Sequence, residues 1–415
     1  MKVLMCHNYY QQPGGEDESF AQEVELLRSH GHPVVCFTRH NNTIKEMGRL
    51  ELAMKAIWNR QSSRELRRVI RRERPDIMHC TNMFPLISPS AYYAAKAEGV
   101  AVVQSLRNYR LICPGAFLLR NGTTCDDCIG AKVAWRAVKH RCYRNSRTAS
   151  AVVAAKLAVH RAMGTWNKAV DVYYALTEFS RRKFIEGGFP EEKLAVKPNF
   201  LHPDPKPGNG GGGYAIFVGR LSPEKGVETL LAAWTRLGAR IPLKIVGDGP
   251  LRNKVAGAAG NHEMITWLGP QDGHEVFSLV AEAAFLIIPS LWYEGFPRTI
   301  LEAFAKGTPV VASKLGSMAE VVEDGRTGIH FQPGDADDLA NKVTKLLADP
   351  QQLAAMRHAV RDEYLRHYTA ETNYTTLMSI YQRACESRDL AARPRAWKRA
   401  QRFVADLSSN AARLP

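Results

Sequence analysis

Two glutamates stand eight residues apart in the run Ser290-Leu-Trp-Tyr-Glu-Gly-Phe-Pro-Arg-Thr-Ile-Leu-Glu-Ala-Phe, Glu294 on a loop and Glu302 inside an expected helix. Carboxylates accept hydrogen bonds from hydroxyls, so the pair suits a polyhydroxylated ligand. Pro297 fits the first helical turn, where its missing N–H costs nothing. The amides of Arg298, Thr299 and Ile300 are then free to meet an anion such as phosphate. Gly295 and Phe296 complete the loop that presents them. Glu302, about one and a half turns into the helix, is placed to reach a ribose, and Glu294 to reach sugar hydroxyls.

Such groups need a platform, and the chain supplies one twice. Short apolar runs rich in β-branched residues alternate with helical patterns, the mark of βαβ units around parallel sheets. The expected class is α/β, with two Rossmann-like domains facing across a deep cleft. In the first half, strands are expected near Val3–Met5, Val34–Phe37, Ile77–His79, Val100–Gln104 and Val172–Leu176. The run HPDPKPGNGGGG then reads as a flexible connection. Strands resume at Ala215–Val218, Leu243–Val246, Met264–Leu268, Phe285–Ile288 and Pro309–Ala312. The expected division is a first lobe over 1–200, a linker over 201–213, a second lobe over 214–375 and a basic helical segment over 376–415. Ligands of open α/β sheets bind outside the carboxyl ends of the strands, which places the site in the cleft.

Composition narrows the classes. Of 415 residues, 45% are apolar and 23% charged, as in a soluble globular protein, and no run approaches the roughly 18 apolar residues of a membrane span. The opening MKVLMCHNYY turns polar too soon for a signal peptide and reads as a strand, so a cytoplasmic location is expected. Fifty-six lysines and arginines against 41 acidic residues leave a formal charge of +15. Arg64, Arg67, Arg68, Arg71 and Arg72 fall on one helical face, readable either as a solvated surface or as an anchor to an anionic membrane at about 1 kcal/mol per residue. Aromatic residues are not interleaved with them, so no nucleic-acid partner is expected.

The charged motifs carry a family resemblance. Glu294 and Glu302 match the E-x7-E pattern of the family-4 retaining glycosyltransferases of GT-B fold, bacterial polysaccharide type, and Phe217-Val-Gly-Arg-Leu-Ser-Pro-Glu-Lys-Gly resembles that family's phosphate-binding turn. The resemblance implies that Arg220 and Lys225, in the turn with Gly219, contact the donor diphosphate and act with Glu294 in catalysis. It places Gly247 of Ile245-Val-Gly-Asp-Gly-Pro and Leu268 of Trp267-Leu-Gly near the nucleotide base; a plain strand-end turn is the alternative for each. In Tyr10-Gln-Gln-Pro-Gly-Gly-Glu-Asp, Gly14 and Gly15 shape the loop between acceptor and donor phosphate, unless they form a bare glycine turn. Glu16 and Asp17 suit a helix start electrostatically. Where many relatives carry histidine before Asn108 this chain has Arg107, which stays charged and cannot be a general base but can still contact donor or acceptor. His7, at the end of the first strand, is the nearest other imidazole.

The resemblance implies transfer of a sugar, with retention, from a nucleotide-diphosphate sugar to a saccharide or lipid-linked saccharide in surface or exported polysaccharide synthesis. The departing diphosphate accepts the acceptor proton, and the nucleotide sugar is a co-substrate, with no separate cofactor and no metal. Asp335-Ala-Asp337, a pattern that binds manganese elsewhere, reads as a helix cap. Cys113, Cys125, Cys128 and Cys142 include one C-x-x-C pair, which suits zinc if the outer two fold back and otherwise reads as buried free thiols. A nucleotide-sugar epimerase and a degenerate membrane-attached scaffold are the rival readings. A nicotinamide dehydrogenase is disfavoured because PGGED, not G-x-G-x-x-G, follows the first strand.

Overall fold

The computed structural model describes residues 1–12 and 14–411, with side-chain surroundings through residue 390. Pro13 of the glycine turn, and the last part of the basic segment expected over 376–415, lie outside the described residues.

Fourteen strands are present among the described residues. The first lobe carries β1 (Val3–Tyr9), β2 (Val34–His40), β3 (Ile77–Cys80), β4 (Ala101–Leu106), a small hairpin β5 (Leu119–Arg120) and β6 (Thr123–Thr124), then β7 (Val172–Ala175) and β8 (Leu194–Val196). The second carries β9 (Ala215–Val218), β10 (Leu243–Val246), β11 (Ile265–Gly269), β12 (Phe285–Ile288), β13 (Val310–Ser313) and β14 (Gly328–Phe331). Each lobe is one parallel six-stranded sheet, ordered β2-β1-β3-β4-β7-β8 and β11-β10-β9-β12-β13-β14. Helices cover the sheets, so strands such as Phe285–Ile288 are buried along their whole length and read as unbroken apolar runs.

In both sheets the strand order reverses beside the first strand of the lobe. Those switch points, between β1 and β3 and between β9 and β12, open a crevice at the carboxyl ends of the strands. The two crevices supply the loops that carry the chemistry.

The run expected to be a flexible linker is fastened down instead. The Gly208, Gly210 and Gly212 amides donate to carbonyls of Lys306, Ala281 and Glu282, and Arg361 holds the Asp204 carboxylate at 2.7 Å. Gly208 has no room for a side chain, since a Cβ there would stand 2.3 Å from the Ala281 carbonyl oxygen. The glycines are needed for close approach rather than for freedom.

The chain returns to the first lobe near Thr369, which bridges Leu201. The helix Ala370–Ala411 begins there, so residues 370–375, expected in the second lobe, already pack on the first: Tyr374 stacks on His30 with ring centroids 3.7 Å apart, and Asn373 donates to the Pro198 carbonyl at 2.7 Å.

Candidate functional site

The turn after β9 and the loop after β12 meet across the switch point of the second sheet. Gly226 ends the first of them with φ +70, and a Cβ there would stand 1.8 Å from the Pro289 carbonyl oxygen, so only glycine lets the loops close. Closure brings the Lys225 ammonium to 2.7 Å from Glu294 Oε1. The same oxygen accepts from the Ser290 hydroxyl at 2.8 Å and the Trp292 indole N–H at 3.0 Å. Glu294 is 5% exposed and held on one side only, which fixes its carboxylate at the cleft wall. Arg220, five residues earlier than Lys225, is exposed, and its guanidinium has no partner among the described residues.

Behind them the turn is built by close backbone approach. The Gly219 amide donates to Val246 O at 3.0 Å, and the Gly247 amide to Gly269 O at 2.9 Å. Gly247 has φ +130, and a Cβ there would fall 2.0 Å from Gly219 O. The Trp267 indole donates to Gly247 O at 3.0 Å, while Leu268 packs against the core.

The helix Arg298–Lys306 points its start into the cleft. Pro297 is its cap residue rather than its first turn, and the Ile300 amide bonds back to Pro297 O at 3.1 Å. Of the three amides expected to be free, the Ile300 amide is therefore occupied. Phe296 is buried, and Asn199 of the first lobe donates to its carbonyl at 3.3 Å. Glu302 accepts no hydrogen bond among the described residues; its nearest cation is the Arg298 side chain at 3.9 Å. Burial raises its pKa, with Arg298 opposing.

Arg298 itself crosses the cleft. Its side chain is 3.1 Å from the Glu18 carboxylate and within 3.4 Å of Ser19 and Gln22, all on the helix Gly15–Ser29. A Cβ on Gly15 would stand 3.1 Å from Arg298 Cδ, so Gly15 permits this crossing. Gly14 is the cap of that helix, with open space around it and an ordinary extended φ of −149. Gly295 faces the first lobe too: a Cβ there would stand 3.0 Å from the Arg107 carbonyl oxygen.

On the first-lobe side, Asn108 donates to Glu16 at 2.6 Å, and Tyr10 also donates to Glu16. Glu16 thus does more than decorate a helix start. Asp17 caps the Gly14 amide at 3.2 Å and meets His7 Nε2 at 2.7 Å, while His7 Nδ1 meets Thr81 at 2.6 Å. His7 is fully buried, and burial outweighs the pull of Asp17 and lowers its pKa, so the ring is a neutral strut.

The Arg107 guanidinium is matched within the protein, at the edge of the first-lobe cavity. Its terminal nitrogens donate to Asn199 at 2.7 Å and to Glu23 at 3.0 Å. Lys197 holds the same Glu23 oxygen at 2.7 Å, and His79, Tyr174 and Tyr381 close the buried cluster around them. The spacing that suggested a cleft residue could not show Glu23, 84 positions away, waiting behind the strand.

Asp335 caps the helix Ala336–Leu347, accepting from the Asp337 and Asp338 amides at 3.0 and 2.9 Å. Asp337 pairs with Arg236. All eight cysteines are free thiols, and among the described residues no group of three or more histidine, cysteine or acidic side chains is arranged for a metal ion. Burial first, and the neighbouring thiols after it, push the Cys128 thiol up to about 12 and raise Cys142; burial also raises Cys113.

Sequence reasoning passed over Arg110 and Lys156. They line a cavity of the first lobe with Glu16, Asn108, Phe84 and Gln104, beside the switch point of that sheet. Neither stands out in the sequence, because the buried face of the helix Arg147–Ala162 also carries Ser150 and His160.

Known proteins fit this arrangement. The model of group 1 glycosyl transferases matches residues 202–363, and that of the glycosyl transferase 4-like domain residues 14–199. A Mycobacterium tuberculosis glycogen synthase is 33% identical over 172 residues, 40% of this chain and 41% of that protein. The alpha-D-kanosaminyltransferase of Streptomyces kanamyceticus is 34% identical over 173 residues, 40% of this chain and 45% of that one. The matched stretch thus spans less than half the length of these curated relatives. Among solved structures, Anabaena Alr3699/HepE in complex with UDP superposes with a TM-score of 0.65 at 18% identity, over 91% of this chain and 99% of that one. Sucrose-phosphate synthase from Thermosynechococcus elongatus does so with a TM-score of 0.68 at 16% identity, over 92% and 98%. At such identities the likeness is one of fold, and that fold is GT-B.

Proposed function

We propose, for a chain that belongs to the family-4 type glycosyltransferases of GT-B fold, that it transfers a sugar from a nucleotide-diphosphate sugar to a saccharide or lipid-linked saccharide, with retention and without a metal. The observation that carries the proposal is the Lys225–Glu294 pair at the switch point, facing the start of the helix that holds Glu302. Lys225, Arg220 and the amides of Arg298 and Thr299 supply positive charge where a diphosphate leaving group gains negative charge. Lys225, held by Glu294, and the helix amides are fixed in advance and lower the barrier without rearrangement, while the exposed Arg220 side chain is free to close on the diphosphate. Glu302, lacking donors of its own, suits the ribose hydroxyls; Glu294, held by one oxygen, keeps the other for the sugar. With Glu294 and Glu302 both assigned to binding, the reading is a front-face path in which the diphosphate takes the acceptor proton. Solved proteins of this fold hold UDP and UDP-glucose, and the same class of donor suits this crevice.

The acceptor's place is the first-lobe side of the cleft, in surface or exported polysaccharide synthesis at the inner face of a membrane. Arg64 and Arg68 are exposed, while Arg67 and Arg71 are drawn to Glu98; Leu50 and Met54, on the preceding helix Arg49–Ile57, are exposed apolar residues. No helix among the described residues is long and apolar enough to cross a membrane. Flotation with anionic vesicles tests the attachment; binding untouched by neutralising Arg64 and Arg68 sinks it.

The direct test of the reaction is thermal shift and turnover against uridine, guanosine and adenosine diphosphate sugars in chelator. One base should stabilise the fold, and the product should keep the donor's anomeric configuration by NMR. A sugar with an inverted ring carbon, formed without acceptor, would make the protein an epimerase instead.

A further inference from the structure

The cavity beside the first-lobe switch point contains two cations that no described residue neutralises. Lys156, on the helix Arg147–Ala162, is 3% exposed and has neither a hydrogen bond nor an ion pair among the described residues. Its ammonium lies 4.8 Å from the centre of the Phe84 ring. The Arg110 guanidinium lies 4.7 Å from the same ring, and its Nε and Nη1 are buried without a hydrogen-bond partner among the described residues. The neutral polar groups around them are, by contrast, satisfied within the fold: Gln104 donates to Thr81 O and accepts from Tyr92, and the Thr81 hydroxyl is held by His7. The one carboxylate in the lining, Glu16, is engaged by Tyr10 and Asn108. Arg107, the remaining cation of the lining, is already matched by Glu23.

A cation over an aromatic face gains about 0.5–2 kcal/mol, less than the several kcal/mol that burying an ammonium without a counter-charge costs. A Lys156–Arg110 pair on one ring also repels itself, and burial together with Arg110 lowers the Lys156 pKa to about 7. Burial thus favours loss of the Lys156 proton, and an anionic ligand would instead hold the ammonium charged. A carboxylate would match one of the two charges. A phosphate carries about −1.5 to −2 and matches both, meeting the guanidinium edge as a fork and the ammonium as a point charge.

We infer that this cavity, built by Arg110, Lys156, Phe84 and Asn108, binds a phosphate group carried by the acceptor. The inference rests on the glycosyltransferase reading for the word acceptor, while the phosphate site itself stands on the unmatched cations. The phosphate belongs either to a soluble sugar phosphate or to a lipid-linked one, and the cavity's place at the cleft holds the acceptor's reacting hydroxyl toward the second lobe.

The test is calorimetric titration of the full chain with glucose 1-phosphate, with a prenyl phosphate in detergent micelles and with glucuronate, each with and without the nucleotide found to stabilise the protein. Binding of one phosphate probe, weakened about tenfold or more in both Arg110→Gln and Lys156→Met but unchanged in Lys225→Ala, supports the site and tells soluble from lipid-borne phosphate. Phosphate binding indifferent to both substitutions, or glucuronate binding in its place, overturns it. Both variants are checked for folding by circular dichroism, and neither removes a side-chain hydrogen bond found among the described residues. If no nucleotide binds while the phosphate probes still depend on Arg110 and Lys156, the transferase reading fails and the phosphate site survives; nucleotide binding without phosphate binding overturns the phosphate site and leaves the transferase reading standing.

Discussion

The Lys225 ammonium sits 2.7 Å from Glu294 Oε1, although 69 residues separate them in the chain, because their loops leave neighbouring strands on either side of the switch point. Under the proposed function, the cation that meets the diphosphate is held in place by the carboxylate that meets the sugar. Either group alone would be less well placed, since a lysine stem is flexible and a lone buried carboxylate is costly.

Removing that cation should cost catalysis more than stability. Lys225→Met is expected to lower kcat/KM on the order of 10²-fold, comparable to losing one preorganised charge-stabilising donor, with a stability loss of about 1–3 kcal/mol. Steady-state kinetics with the cognate nucleotide sugar, beside urea unfolding, check both. Wild-type turnover would remove Lys225 from the site.

Glu302 should show itself through pH. Its folded pKa is raised by burial, so between its unfolded value of 4.5 and the raised value the folded state binds more protons. Stability therefore falls as pH rises through that window, and Glu302→Gln should flatten the slope. Donor binding should move the other way, strengthening as the carboxylate ionises. Calorimetry with the nucleoside diphosphate and its 2′,3′-dideoxy analogue is the check: the analogue should bind less well to wild type and no worse to the variant.

Lys156 gives the opposite signature. With a folded pKa of about 7 against 10.5 unfolded, the unfolded chain binds more protons between those values, so stability rises with pH across that range. Lys156→Met should raise the Tm, most clearly at pH 7 and below, where the buried ammonium is charged. A Tm that drops at every pH would mean the lysine has a partner.

The buried cluster under the cleft should respond to acid. Burial alone would raise the Glu23 pKa, but Lys197 and Arg107 together outweigh it and hold the carboxyl well below the usual range. The stability it contributes is present above pH 4.5 and lost as pH falls toward the folded value. Glu23→Ala should cost about 3–5 kcal/mol at neutral pH, because it leaves two buried cations unmatched, and should remove that acid dependence. Denaturant melts from about pH 3 to 7 read both effects.

Local chemistry alone was enough to read the sheets of the second lobe. Ala215–Val218, Leu243–Val246 and Phe285–Ile288 are apolar runs bounded by turn residues, and they form strands with those same bounds because both faces are covered. β8 and β14 are harder to see: one is three residues long, and the other opens on Gly328, whose missing side chain admits the Val310 carbonyl. The E-x7-E glutamates and the Arg220–Lys225 turn were legible because each motif lies within one loop and one helix start.

Relationships between elements were not. Sequence spacing could place Arg107 at the end of a strand, but only the packed lobe puts Glu23 and Asn199 within reach of its guanidinium. Likewise Arg110 and Lys156 lie far apart in the chain and are unremarkable singly; the fold places both on one Phe84 ring and leaves them unmatched among the described residues. The sequence by itself determined the parallel sheets and the identities of the charged groups, because periodicity and turn chemistry are local. Tertiary structure alone decided which charges are neutralised within the protein and which remain for a ligand, because that balance depends on burial and on partners brought together from distant segments.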